Sequence, residues 1–180
     1  MTASNAYGLT LVVLHWLIAI GVIGLFLLGL WMVDLGYYDP WYRRAPDLHK
    51  SIGFVVVVAM IIRLAIRHRQ GVPAPVTRHR GWERRSARMA VIGFYTLVIA
   101  MLPSGYLIST ADGRAMTIFG LFELPALVTD IDNLEDMAGE AHEILAFTLI
   151  GLAVMHAAAA LKHHFIDRDN TLRRMLGMGD

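Results

Sequence analysis

The chain has 180 residues, of which 56% are hydrophobic and 17% charged, with a net charge of +1 and a mean hydropathy of +0.52. Soluble domains carry about 45–50% apolar and about 25% charged residues, so the composition excludes an ordinary soluble globular domain, a disordered chain and a nucleic-acid binder. There is no cysteine, which excludes disulfides, Cys-ligated iron–sulfur clusters, thioether-attached haem and cysteine nucleophiles.

In chain order, the first apolar run (9–33) contains no Asp, Glu, Lys or Arg. It is too long for the h-region of a signal peptide, and no basic residue precedes it, so a retained membrane span is predicted. A second span, roughly 48–66, opens at His49 and closes around Arg63. A third, roughly 89–110, has no His and carries Pro103, which predicts a kink and a packing role. The segment 111–140 holds an apolar patch, 116–122 and 124–128, interrupted by Glu123 and Pro125. An interfacial helix on the outer leaflet is predicted there, with an irregular loop as the alternative. The fourth span, roughly 141–164, carries His142 and His156. Beyond it, Asp169-Asn170-Thr171 predicts a cap for a short helix containing Leu172, Met175 and Leu176, with Arg173 and Arg174 facing anionic headgroups. Runs of this length without alternation predict helices. The expected fold is a single all-α domain over 1–180, an integral membrane four-helix bundle.

Charge predicts its orientation. Twelve of the sixteen basic residues fall between the second and third spans (Arg63, Arg67, Arg69, Arg78, Arg80, Arg84, Arg85, Arg88) or after the fourth (Lys162, Arg168, Arg173, Arg174). The opposite loops hold Arg43, Arg44, Lys50 and Arg114 against eleven acids. The positive-inside rule puts both termini in the cytoplasm.

Four histidines lie within or at the ends of the spans: His15, His49, His142 and His156. Each alone is equally a hydrogen-bonded packing residue or a functional group, so their arrangement decides. His142 and His156 are 14 residues apart, about 21 Å along a helix and roughly 40° from a common face. His49 starts its span at the outer end, level with His142. His15 lies near the inner end of the first span, level with His156. Two His pairs at two depths are predicted. Two imidazoles without Cys, Asp or Glu are poor for zinc. They suit haem b, whose porphyrin supplies the other four nitrogens. Gly21, Gly24, Gly53, Gly139 and Gly151, with Ala157 to Ala160, leave space between helices. Arg63, 14 residues after His49, falls at the inner level, where it either meets a haem propionate or snorkels to the headgroups.

Several of these segments resemble the bacterial cytochrome b561 family of di-haem membrane proteins. They are His15-Trp16, His49, His142-Glu143 and LAVMHAAAALKHHF (152–165), while DNTLRRM (169–175) looks closest to the superoxide oxidase branch. The resemblance implies a bacterial inner-membrane protein with two haem b groups, His15, His49, His142 and His156 as axial ligands, and electron exchange with ubiquinone. It agrees with the pairs His15–His156 and His49–His142 suggested by helix level.

Two axial imidazoles leave no open iron position, so such sites pass electrons. The expected activity is oxidation of superoxide at the outer face and reduction of ubiquinone near the cytoplasmic face. Arg43, Arg44 and Lys50 could attract the anion, against the acidic 112–143 segment. His163, seven residues after His156, is the candidate proton donor to a quinone, with Arg84, Arg85 and Arg88 at similar depth; interfacial anchoring is the alternative for these residues and for His164. His68 and His79 are expected in the solvated loop. The alternative function is a haem b anchor or relay subunit for a partner dehydrogenase or hydrogenase. A metal-ion transporter would need carboxylates at the His levels, and the apolar runs have none.

Overall fold

The computed structural model describes residues 7–71 and 80–178; Arg78 and His79 lie outside the described residues. Four long helices dominate: α1 (Leu9–Met32), α2 (Arg44–Gln70), α3 (Gly81–Thr110) and α4 (Leu134–Phe165). All four are long and apolar enough to cross a membrane. A hairpin of β1 (Met116–Ile118) and β2 (Phe122–Leu124) separates α3 from α4, and a short α5 (Thr171–Met175) follows.

The helices overrun the predicted spans because their polar ends are helical too. Asp47 sits in the first turn of α2, and Arg67, His68 and Arg69 in its last, each charge complementing the helix dipole. Pro46 lies in the first turn of α2, where its missing N–H leaves no bond unmade. Gly71, at φ +74°, ends α2 with its N–H on the Arg67 carbonyl, a conformation that costs glycine little. At the start of α3 the Arg80 N–H donates to Glu83 Oε2 at 2.8 Å. Before α5 the Thr171 N–H donates to Asp169 Oδ1 at 2.8 Å, so the predicted cap forms through Asp169.

The 116–128 patch is not an interfacial helix. It opens with a hairpin pairing Met116 with Leu124 and Thr117 with Glu123. Phe119 and Gly120 both adopt positive φ, and the Leu121 N–H closes the turn on the Ile118 carbonyl at 2.9 Å. Met116 and Ile118 are 2% and 1% exposed while Thr117 between them is half-buried, the two-residue period of a strand. Gly120 and Pro125, both poor helix residues, break the segment where a helix would need continuity. The hairpin rests on the bundle through the Phe119 N–H to Ser51 Oγ bond (2.9 Å) and the Phe54–Phe122 ring contact. Tyr106 straps the following loop, donating to the Pro125 carbonyl (2.6 Å) and accepting from the Leu127 N–H (2.8 Å).

The bundle is two helical hairpins. α1 packs along α2 and α3 along α4, with sparser contact between the pairs. Ile18, Val56, Val57, Met60, Tyr95, Val98 and Leu149 form the shared core. Outward-facing apolar side chains such as Val154 and Met155 are 64% and 65% exposed, as expected of helices whose solvent is hydrocarbon. The start of α1 meets the end of α2 at Gly8 and Gln70, and Lys162 near the end of α4 binds Glu83 at the start of α3. Trp16 Nε1 donates to the Met175 carbonyl at 2.7 Å. The start of α1 and α5 therefore lie at one end of the bundle, with the β-hairpin at the other.

Gly21 faces α2 rather than an opening: a Cβ there would come within 2.7 Å of Val56 Cγ2. Overpacking a tight core costs about 1–3 kcal/mol. Gly21→Ala should lower the thermal midpoint of the detergent-solubilised chain by that order, whereas Gly36→Ala, with nothing within 4 Å, should not move it.

Candidate functional site

Apolar helices in lipid can shelter polar side chains only between themselves, and the four membrane histidines meet in pairs across helix gaps, His15, His49 and His142 half-buried and His156 still exposed on one side. His15 on α1 faces His156 on α4, ring centroids 6.3 Å apart at 72°. His49 on α2 faces His142 on α4 at 6.1 Å and 63°. α4 thus contributes one imidazole at each level.

At the His15–His156 level, Phe94 stands edge-on to His156 at 5.3 Å and Trp16 to His15 at 5.3 Å. Arg63 is turned into the bundle, not out to the headgroups. Its Nη1 donates to Tyr95 Oη at 3.0 Å, and its charge acts on both His15 and His156. Its Nε is buried without a hydrogen-bond partner among the described residues. A buried guanidinium N–H needs an acceptor, and an anionic group between the helices would supply one.

At the His49–His142 level, Ser104 Oγ lies 2.9 Å from His142 Nδ1. A Cβ at Gly105 would lie 3.2 Å from His142 Cε1, and one at Gly29 3.4 Å from His49 Cε1. Two glycines therefore border the two rings. His49 Nδ1 is buried without a partner among the described residues. α3, expected to serve only packing, thus presents Tyr95 to Arg63 and Ser104 and Gly105 to His142. Ser and Tyr are common in membrane spans, so Tyr95 and Ser104 do not stand out in the sequence; the Pro103-Ser104-Gly105 run is the local signal.

Among the described residues, the one group of three metal-ligating side chains is Glu83, His163 and Asp167, so each His pair offers two ligands alone. Two imidazoles facing at these separations would leave room for one metal between them. Haem, which brings four nitrogens and leaves two axial positions, fits this donor set. At Gly24, Gly53, Gly139 and Gly151 a Cβ would meet only open space. Gly21 differs, as it packs on Val56.

At the end of the bundle bearing α5, Lys162 Nζ bridges Glu83 Oε1 and Asp167 Oδ2, each at 2.7 Å. His163 Nδ1 is 2.7 Å from Asp167 Oδ2 and 3.5 Å from Asp169 Oδ2. The carboxylates thus have the chain's own ammonium between them, which accounts for the cluster without a metal. Arg84, Arg85 and Arg88 are exposed on the first turns of α3, and His164 is half-buried beside Phe165. At the opposite end Arg43 and Arg44 are exposed beside Tyr37, Asp39 and Tyr42, while Lys50 pairs with Asp47 at 2.7 Å.

A family model of prokaryotic cytochrome b561 matches residues 6–178. Cytochrome b561 homolog 2 of Escherichia coli (strain K12) is 48% identical over 171 residues, covering 95% of this chain and 91% of that protein. Cytochrome b561 homolog 1 of the same strain is 30% identical over 176 residues, 96% and 97% of the two chains. Probable superoxide oxidase CybB of Yersinia pestis is 32% identical over 139 residues, 77% of each.

The Lys162 hydrogen bond, with a further one from His163, holds the Asp167 carboxyl below the usual carboxylate range. A carboxyl lowered on folding stabilises the fold above its unfolded value, and that contribution disappears as pH falls through the lowered one. Hydrogen-exchange protection at the α3–α4 junction should therefore hold from neutral pH to about pH 5 and fall only below the usual carboxylate range. Glu83, which ties α3 to the same Lys162 and is likewise held low by it, shares that transition, so Asp167→Asn should weaken it and Asp167→Asn combined with Glu83→Gln should remove it.

Proposed function

The chain belongs to the prokaryotic cytochrome b561 family, and we propose that it is a two-haem electron conduit of a bacterial inner membrane that oxidises superoxide and reduces ubiquinone. The family implies haem b. The observation that carries the two-haem reading is the facing of His15 with His156 and of His49 with His142, at centroid separations suited to one metal each. The positive-inside asymmetry makes the end bearing Lys162 and α5 the cytoplasmic one, so His49–His142 is the outer pair and His15–His156 the inner.

When bound, haem b would supply one-electron chemistry. The chain's residues do the rest. The four imidazoles would hold the groups at two depths, and Arg63, with its buried Nε–H lacking a partner among the described residues, would meet an anionic group at the inner level. Arg43 and Arg44 raise the local concentration of an anionic donor at the outer end; Lys50 contributes less, its charge being met by Asp47. Two superoxide ions each give up one electron and leave as dioxygen. Ubiquinone takes up two electrons and two protons to become ubiquinol. His163, backed by Asp167 and Asp169, delivers protons at the cytoplasmic end, with Arg84, Arg85 and Arg88 near the headgroups. The superoxide assignment draws on the Yersinia pestis relative named a probable superoxide oxidase.

The purified chain should carry two acid-extractable haems, measured as pyridine haemochrome against protein. His15→Ala and His156→Ala should remove one and the same haem, and His49→Ala and His142→Ala the other, by reduced-minus-oxidised spectra. In nanodiscs, enzymatically generated superoxide should reduce the haems and ubiquinone should reoxidise them. His163→Ala should keep both haems yet slow reoxidation by up to about 10²-fold, the low end for general acid–base catalysis. A chain inert to superoxide that co-purifies with an iron–sulfur subunit would instead be a relay anchor.

A further inference from the structure

Ser104 stands one residue after Pro103 and is 7% exposed in the bundle. Its Oγ has three polar neighbours: the Ala100 carbonyl at 3.2 Å, the Met101 carbonyl at 3.0 Å and His142 Nδ1 at 2.9 Å. A hydroxyl has one hydrogen and two lone pairs, and a carbonyl oxygen only accepts. With two carbonyls beside it, the hydroxyl hydrogen goes to one of them, the back-bond usual for helical serine. The lone pair left over faces His142 Nδ1 and is satisfied only if that nitrogen carries a hydrogen. The opposite arrangement, with the hydroxyl donating to Nδ1, leaves both carbonyls facing lone pairs and protonates Nε2.

We propose that Ser104 is a positioning residue for His142: its hydroxyl accepts the Nδ1–H, fixes the tautomer and ring orientation, and leaves the Nε2 lone pair for the outer haem iron. This rests on the reading that His142 is an axial ligand. Gly105 is part of the same device, since a Cβ there would come within 3.2 Å of the ring and displace it from Ser104. The partner ring lacks such support, because His49 Nδ1 is buried with no partner among the described residues. The outer pair is therefore unequal. A hydrogen bond accepted from the far nitrogen raises the basicity of a histidine ligand, so His142 is the stronger donor and favours the ferric state. Ser104 acts through His142 and touches no substrate.

Removing such a partner alters a metal site by about 10–100-fold, and the low end is expected for a neutral hydroxyl. Redox titration of the purified two-haem protein should show the outer haem of Ser104→Ala shifted about tenfold toward the ferrous form, an increase of about 59 mV for one electron. The inner haem should stay unmoved, which controls for folding. Low-temperature EPR of the ferric protein should show changed g values for the outer haem alone. Ser104→Thr, which keeps a hydroxyl, should restore the wild-type potential. If Ser104→Ala does not assemble, Ser104→Cys, with its weak acceptor sulfur, should show a partial shift. An unchanged outer potential in the Ala variant, or a Thr variant displaced as far as Ala, overturns the role of Ser104. Retention of both haems in His142→Ala would overturn the ligand assignment beneath it, a separate result.

Discussion

The membrane constrains this protein through one requirement: four imidazoles and a guanidinium must turn toward neighbouring helices rather than toward hydrocarbon. An ionisable group facing lipid costs several kcal/mol, so the bundle can close only with α4 turned toward α1 at His156 and toward α2 at His142. Once those two facings are fixed, the rotation of three helices is fixed as well. The close approach of Gly21 to Val56 locks α1 onto α2, and Gly93 meeting Leu152 does the same for α3 on α4. The remaining gap runs between the two hairpins, where the buried unpartnered atoms of His49 and Arg63 lie.

α3 acquires its importance from this arrangement. Having no histidine, it supports those that the other helices present. Tyr95 steadies Arg63, Ser104 and Gly105 receive His142, and Tyr106 fastens the chain leaving the hairpin. A metal-binding histidine depends on the partner of its far nitrogen almost as much as on its own bond. On the proposed reading of His142 as a ligand, α3 acts on the site without contributing a ligand of its own.

The two ends of the bundle handle charge differently. At the end bearing α5, Glu83, Lys162, His163, Asp167 and Asp169 form one connected network tying α3, α4 and the turn before α5 together. At the other end the basic residues are exposed or singly paired.

Composition and uncharged run length determined the four helices, because hydrocarbon leaves backbone polar groups no partner outside a helix. Helix rise and repeat then determined which histidines share a level, since 14 residues along α4 place His142 and His156 at two depths on one side. The sequence also carried the twelve-to-four asymmetry of basic residues, a property of order along the chain. What lay beyond it depended on which helices become neighbours. Whether Arg63 snorkels or turns inward depends on Tyr95, 32 residues away. Ser104 has meaning only beside His142, 38 residues on. The hairpin was missed because three-residue strands carry almost no periodic signal and form here against Ser51, far back in the chain. Local pattern sets helices and depths, while hydrogen bonds between distant residues exist only after the helices pack, so tertiary structure alone decided them.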